Sequence, residues 1–161
     1  NTMQEGRRLI DAVGAAATLP QLLAALGAVF NAAGVGAVVA SLISAVVPTQ
    51  YALGTLAAYF IGMSLFTIIM GNAFAAFAVI TTGIGIPLVI EMHGANPAIL
   101  GTLGMLAGYC GTLISPMAAN FNIVPVALLE MKDNFGVIKR QAPVAVVMWI
   151  TILIFAYIIL F

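Results

Sequence analysis

Residues 51–90 read YALGTLAAYFIGMSLFTIIMGNAFAAFAVITTGIGIPLVI, with no Asp, Glu, Lys or Arg. They close a longer uncharged run, residues 12–90, seventy-nine positions in all. A soluble domain must show charge to water over such a length. A helix rises about 1.5 Å per residue and the hydrocarbon core of a bilayer is about 30 Å thick, so the run holds several membrane passes. The whole chain agrees: 63% hydrophobic residues against 6% charged, with a mean hydropathy of +1.19, exclude a water-soluble globule. The apolar runs are continuous rather than alternating, which excludes a β-barrel. The expected fold class is an all-α polytopic membrane protein.

Net charge is zero and there is no basic tract, so nucleic acid is excluded as a partner. Cys110 stands alone and forms no disulfide within the chain. The chain begins with Asn and reads as one half of a longer protein. Charges fall in three places: Glu5, Arg7, Arg8 and Asp11; Glu91, beside His93; and Glu130, Lys132, Asp133, Lys139 and Arg140. This divides the chain into an interfacial amphipathic segment, 1–18, and a transmembrane domain, 19–161.

Within that domain, 19–47 reads as one broken or tilted crossing, interrupted at Asn31 and Gly34-Val35-Gly36; two full passes remain the alternative. Pro48-Thr49-Gln50 is a turn, and helices are expected over 51–70 and 73–90. Pro97 suits the first turn of the next helix, expected over 98–111. Residues 112–122 read as unwound, 123–131 as resumed helix, and 142–161 as the closing span with Trp149 and Tyr157. Basic loops collect on the cytoplasmic side. Parity then puts both basic clusters in the cytoplasm and the C-terminus outside.

Two interruptions carry polar residues. At the first, Gly71-Asn72, about twenty apolar residues lie on each side. An unpaired Asn amide in hydrocarbon costs several kcal/mol, and irregular backbone at depth survives only against protein or a wet cavity. A re-entrant hairpin with its tip here fits; a plain turn between two full spans fits as well. The second is GTLISPMAANFN, residues 111–122. Pro116 removes a helix donor and frees the carbonyl of Thr112. Thr112, Ser115, Asn120 and Asn122 are placed to meet unpaired backbone or a ligand. Broken helices build midplane sites in secondary transporters, half-helix N-termini drawing anions and freed carbonyls binding cations. A packed proline kink is the bland alternative.

Other signals read as structure. Gly104 and Gly108 have the GxxxG spacing of close helix packing. Cys110 reads as a small buried hydrophobe and His93 as a solvated interface residue. No metal-ligand spacing and no nucleophile elbow occur, so neither a metal site nor an enzyme is expected.

The segments MGNAFAAFAVITTGIGIPLVI (70–90) and GMLAGYCGTLISPMAANFNIVPVALLEMKDNFGVIK (104–139) resemble a bacterial inner-membrane family, one subunit of 5-oxoproline (pyroglutamate) transporters. The likeness covers the chain and corresponds to the C-terminal half of that family. The family is similar to the ion transporter superfamily, with its divalent anion:sodium symporters, gluconate permeases and TRAP large subunits. LAALGAVFNAAGVG (23–36) is similar, more distantly, to a gluconate-permease segment. The resemblance implies one transporter-type repeat: an oblique or broken segment, a re-entrant hairpin, a discontinuous helix and a closing span. The superfamily's Ser-Asn-Thr hairpin tip corresponds here to Gly71, Asn72 and Ala73, so only the Asn is kept. Its broken helix corresponds loosely to Gly111, Thr112, Ser115, Pro116 and Asn120, without the second Pro.

The expected function is secondary active transport of a small organic anion, 5-oxoproline being the acid the resemblance names. The expected substrate residues are Asn72, Thr112, Ser115, Asn120 and Asn122. Gly71, Asn72, Gly111 and Thr112 are the expected cation-binding positions, and Gly71 and Pro116 the helix breaks. No cofactor is expected beyond a coupling ion. Intramembrane carboxylates are missing between residues 12–90 and 94–129, which favours Na+ over a proton relay unless the other half supplies an acid. The expected partners are the bilayer, the substrate, and a sister membrane subunit or further copies of the chain. A non-transporting scaffold subunit is the competing reading.

Overall fold

A computed structural model of the chain describes residues 32–129 and 131–161, with isolated positions at 3, 7, 25, 28 and 29. The expected interfacial segment 1–18 and most of the 19–47 crossing lie outside the described residues.

The described chain is all helix, with no strand among the described residues. Helix α1 is Val35–Val46 and α2 is Ala52–Met70. Helix α3, Ala73–Ile80, runs on as a π-helix over Thr81–Glu91. Helix α4 is Pro97–Ile114; a π-helical turn, Ala119–Ile123, and the short α5, Val124–Leu128, follow. Helix α6, Gly136–Leu160, closes the chain. Among the described residues four segments are long and apolar enough to cross a membrane: Ala52–Met70, Ala73–Glu91, Pro97–Ile114 and Gly136–Leu160. The protein is thus a multi-pass membrane protein by length and composition.

Boundaries follow local chemistry. Asn96 caps α4, its Oδ1 accepting from the N–H groups of Ala98 and Ile99, and Pro97 takes the first turn as expected. Pro87 sits inside the second span, where it has no N–H to give. The wider turn of the π-helix accommodates that gap, which plain helical periodicity does not reveal. Helix α4 runs three residues past the expected 111. A residue before proline is pushed out of the helical region, and Ser115, just before Pro116, is the first to be extended, at φ −78° and ψ 125°. Since α4 alone is span-length, the second break falls at its end rather than inside a span, and helix resumes only over residues 119–128, the π-helical turn and α5. Helix α6 starts earlier than expected. Asp133 accepts from the Phe135 N–H and pairs with Lys139, which supports the first turns of α6.

Helix α4 lies along α2 through a stripe of glycines. A Cβ on Gly104 would fall within the Tyr59 ring, and one on Gly108 would stand 3.0 Å from the Met63 methyl and 3.1 Å from Ala73. One on Gly111 would meet the Ser64 carbonyl oxygen at 2.5 Å. The GxxxG spacing therefore serves packing, as read. Tyr59 is wedged between Gly85 and Gly104, and its hydroxyl shares a 2.9 Å hydrogen bond with Thr81. Leu56, Phe60, Met63, Val79, Ile84 and Leu100 fill the core around it. Phe60 meets Trp149 of α6 edge-on, with ring centroids 6.4 Å apart.

Helix α6 is attached by one side. Only 11% of its apolar window is buried, so its outer face is left to whatever surrounds the bundle, lipid or protein. Two groups of loops mark the two ends of the bundle. At one end His93 Nε2 lies 3.0 Å from the Thr49 carbonyl, and its ring stands edge-on to Phe161. His93 is therefore half-buried and partnered, where the sequence suggested a solvated residue. At the other end stand the Gly71-Asn72 turn, the second break and the start of α6.

Candidate functional site

The first break is a two-residue turn. Gly71 ends α2 in the left-handed region at φ 71°, its N–H donating to the Thr67 carbonyl at 2.7 Å. Asn72 is extended and caps α3: its Oδ1 accepts from the N–H groups of Phe74 at 2.8 Å and Ala75 at 3.4 Å. The Asn72 Nδ2 has no hydrogen-bond partner among the described residues. The N–H groups of Phe74 and Ala75 are taken by this cap, so the Asn72 Nδ2 is the donor left over at the turn.

The second break is folded onto the first. Ser115 is fully buried, and its Oγ donates to the Ile68 carbonyl at 2.6 Å while accepting from the Met117 N–H at 3.1 Å. Ile68 lies in the last turn of α2, where carbonyls lack intrahelical donors. The Met117 backbone comes so close to Gly71 that a Cβ there would stand 2.5 Å from its carbonyl oxygen. Gly71 thus answers two demands at once, a positive φ and the approach of another backbone.

Asn122 supplies the donor that Pro116 removes. It is 2% exposed, and its Nδ2 donates to the carbonyls of Thr112 at 3.1 Å, Leu113 at 3.4 Å and Ser115 at 2.7 Å. Its Oδ1 is buried and has no partner. Thr112 turns its hydroxyl back to the Gly108 carbonyl at 3.2 Å.

The structure therefore joins Gly71, Thr112, Ser115, Pro116 and Asn122 in one contact region between the turn and the break. Asn72 stands at its rim as a cap. Gly111 faces the Ser64 backbone and serves helix contact. Asn120 lies in the π-helical turn, and its side chain falls outside the described residues. Most of the polar atoms expected to await a ligand already hold backbone groups. The free functions are the Asn72 Nδ2 and the Asn122 Oδ1.

Sequence reading missed a cleft of about 270 Å³ beside this region, between α2, α4 and α6. Ser64 and Trp149 close one wall: the Trp149 indole N–H donates to Ser64 Oγ at 2.8 Å, and Ser64 donates to the Ala107 carbonyl at 2.8 Å. The available signal was a lone Ser in an apolar helix and a Trp whose N–H needs an acceptor. Among the described residues no charged side chain lines the cleft. Outside the spans, hydrogen bonds from the Lys139 ammonium and the Phe135 N–H hold the Asp133 carboxyl below the usual carboxylate range. Among the described residues no group of His, Cys, Asp or Glu could hold a metal ion.

Neither a curated protein nor a solved structure matches the chain. Over residues 1–161 it matches, and so belongs to, the family described as "Protein of unknown function (DUF979)".

Proposed function

We propose that this chain is the membrane-embedded half, or a subunit, of a secondary transporter for a small organic anion, coupled to a cation. The observation that carries the reading is the contact of two interrupted helices whose uncommitted polar functions are of opposite kind. The Asn72 Nδ2 offers an N–H donor to a carboxylate. The Asn122 Oδ1, with the carbonyls of Thr112 and Ser115 around the same side chain, offers oxygens to a cation or a substrate N–H. The resemblance names 5-oxoproline, an acid with one carboxylate and one lactam N–H, which suits such a pair. Na+ is the favoured coupling ion, and the inner membrane of a bacterium, with basic loops cytoplasmic, is the proposed location. A single repeat encloses no site, so the facing wall comes from the other half, a sister subunit or a second copy.

The scaffold reading has a specific observation in its favour: Ser115 Oγ, Asn122 Nδ2 and Asn72 Oδ1 are all occupied by backbone. Uptake of labelled small acids into vesicles holding the complete complex separates the two. Transport predicts Na+-dependent uptake that falls at least tenfold with Asn72→Ala. Unchanged uptake with Asn72→Ala and Asn120→Ala, in well-folded protein, would sink the site and leave the scaffold.

A further inference from the structure

The cleft between α2, α4 and α6 has a shape and a setting that the transport reading does not use. On α2 it is lined by Ile61, Leu65 and Ile68, spaced four and three residues apart along one face. It therefore runs parallel to the helix axes for about 10 Å, two turns of α2. On α6 its lining includes Val146 and Trp149. Its rim faces outward: Ile61 is 53%, Leu65 56% and Val146 52% exposed. Apart from the Ser64 hydroxyl, already bonded, its wall is hydrocarbon, thiol and ring. An apolar cavity of about 150 Å³ is enough to take up benzene, and this one is larger, elongated and open on the side away from the bundle.

One end of the cleft points to charge. Lys139 lies seven residues before Val146, nearly two full turns, so it stands on the same face of α6 about 10 Å further along. It opens a basic end of the molecule with Lys132 and Arg140, against the acid Asp133 among the described residues. The Lys139 side chain is 67% exposed and its ammonium is ion-paired with Asp133 at 2.7 Å; a pair this exposed is weak, so a lipid phosphate can share the ammonium. An axial apolar groove with a cation above one end matches a phospholipid in both parts, acyl chain along the helices and phosphate at the ammonium. A partner helix would need no ammonium there.

We propose that the cleft holds one acyl chain of an anionic phospholipid, with its phosphate held by Lys139. The site uses neither the Asn72 nor the Asn122 side chain, so it stands or falls independently of transport. Ile68 belongs to both, since its side chain lines the cleft and its carbonyl holds Ser115. An occupied cleft would thus brace the junction of the breaks.

The test uses Trp149 as the reporter in the complete complex, reconstituted with lipids brominated in the acyl chain. The Trp149 signal is taken as the difference between wild type and Trp149→Phe. Brominated phosphatidylglycerol should quench it at about fivefold lower mole fraction than brominated phosphatidylcholine, the selectivity one basic residue confers at a membrane surface. Lys139→Gln should abolish that preference and Lys139→Arg keep it. Val146→Phe, filling the rim, should lower quenching by both lipids. Equal quenching by the two lipids, or a preference that survives Lys139→Gln, would overturn the proposal. Absence of quenching by either lipid would mean that protein covers the cleft, which also overturns it.

Discussion

Ser115 Oγ and the Ile68 carbonyl oxygen lie 2.6 Å apart, and that hydrogen bond ties the end of α4 to the end of α2. It joins two points forty-seven residues apart in the chain. Each is locally deficient: Ile68 has run out of helical donors, and Ser115 is forced out of helix by the following proline. Ser115→Ala leaves a buried carbonyl unpaired, which costs about 1–3 kcal/mol. Reversible unfolding in mixed micelles should show that loss, and Ser115→Cys, which keeps a weak donor, should recover part of it.

Gly71 and Gly94 form a natural control pair. Both are left-handed, at φ 71° and 72°, but only Gly71 faces another backbone. Gly94→Ala therefore reports the conformational penalty alone, about 1–2 kcal/mol. Gly71→Ala adds the collision with Met117 and should destabilise distinctly more. Equal effects in thermal unfolding would mean that the turn and the break are not in contact.

Asn122 is a donor to three carbonyls before it is anything else. Asn122→Asp puts an acceptor-only carboxylate against those oxygens and should prevent stable folding or force the acid to stay protonated. Asn122→Leu avoids the charge but strands the buried carbonyls, a loss of about 1–3 kcal/mol. The order wild type, then Leu, then Asp in unfolding midpoint at neutral pH is the expected result.

The Ser64–Trp149 pair distinguishes donor from ring. Trp149→Phe keeps an aromatic against Phe60 and leaves Ser64 bonded to Ala107, so the cost should stay near 1 kcal/mol. Ser64→Ala strands the indole N–H and should shift Trp149 emission as well as lower stability. Fluorescence and unfolding of the two variants check both.

Asp133 gives the loop before α6 a pH dependence of definite sign. Its folded carboxyl is shifted down, mainly through the Lys139 side-chain hydrogen bond. The contribution is therefore present above the ordinary carboxylate range and is lost as pH falls through the lowered folded value. The Asp133–Lys139 pair lies at the surface, so the effect is local. Amide resonances of Phe135 and Gly136 should titrate below the usual carboxylate range, and Asp133→Asn or Lys139→Gln should remove the displacement.

Membrane residence, the hairpin arms expected at 51–70 and 73–90, Pro97 in the first turn of α4 and the packing role of Gly104 and Gly108 could all be read from the chain. Each depends on interactions within a few residues or on the absence of charge over a long run, and both are properties of the linear order. Pro116 likewise announced a break. What it could not announce was the break's position at the end of a full-length span, because helix ends also depend on what the released carbonyls meet. The folding of one break onto the other, the commitment of Ser115 and Asn122 to backbone oxygens, and the cleft between α2, α4 and α6 were decided by the tertiary structure alone. A carbonyl left without a donor has no preference for any particular distant residue; packing brings one hydroxyl and one amide within reach.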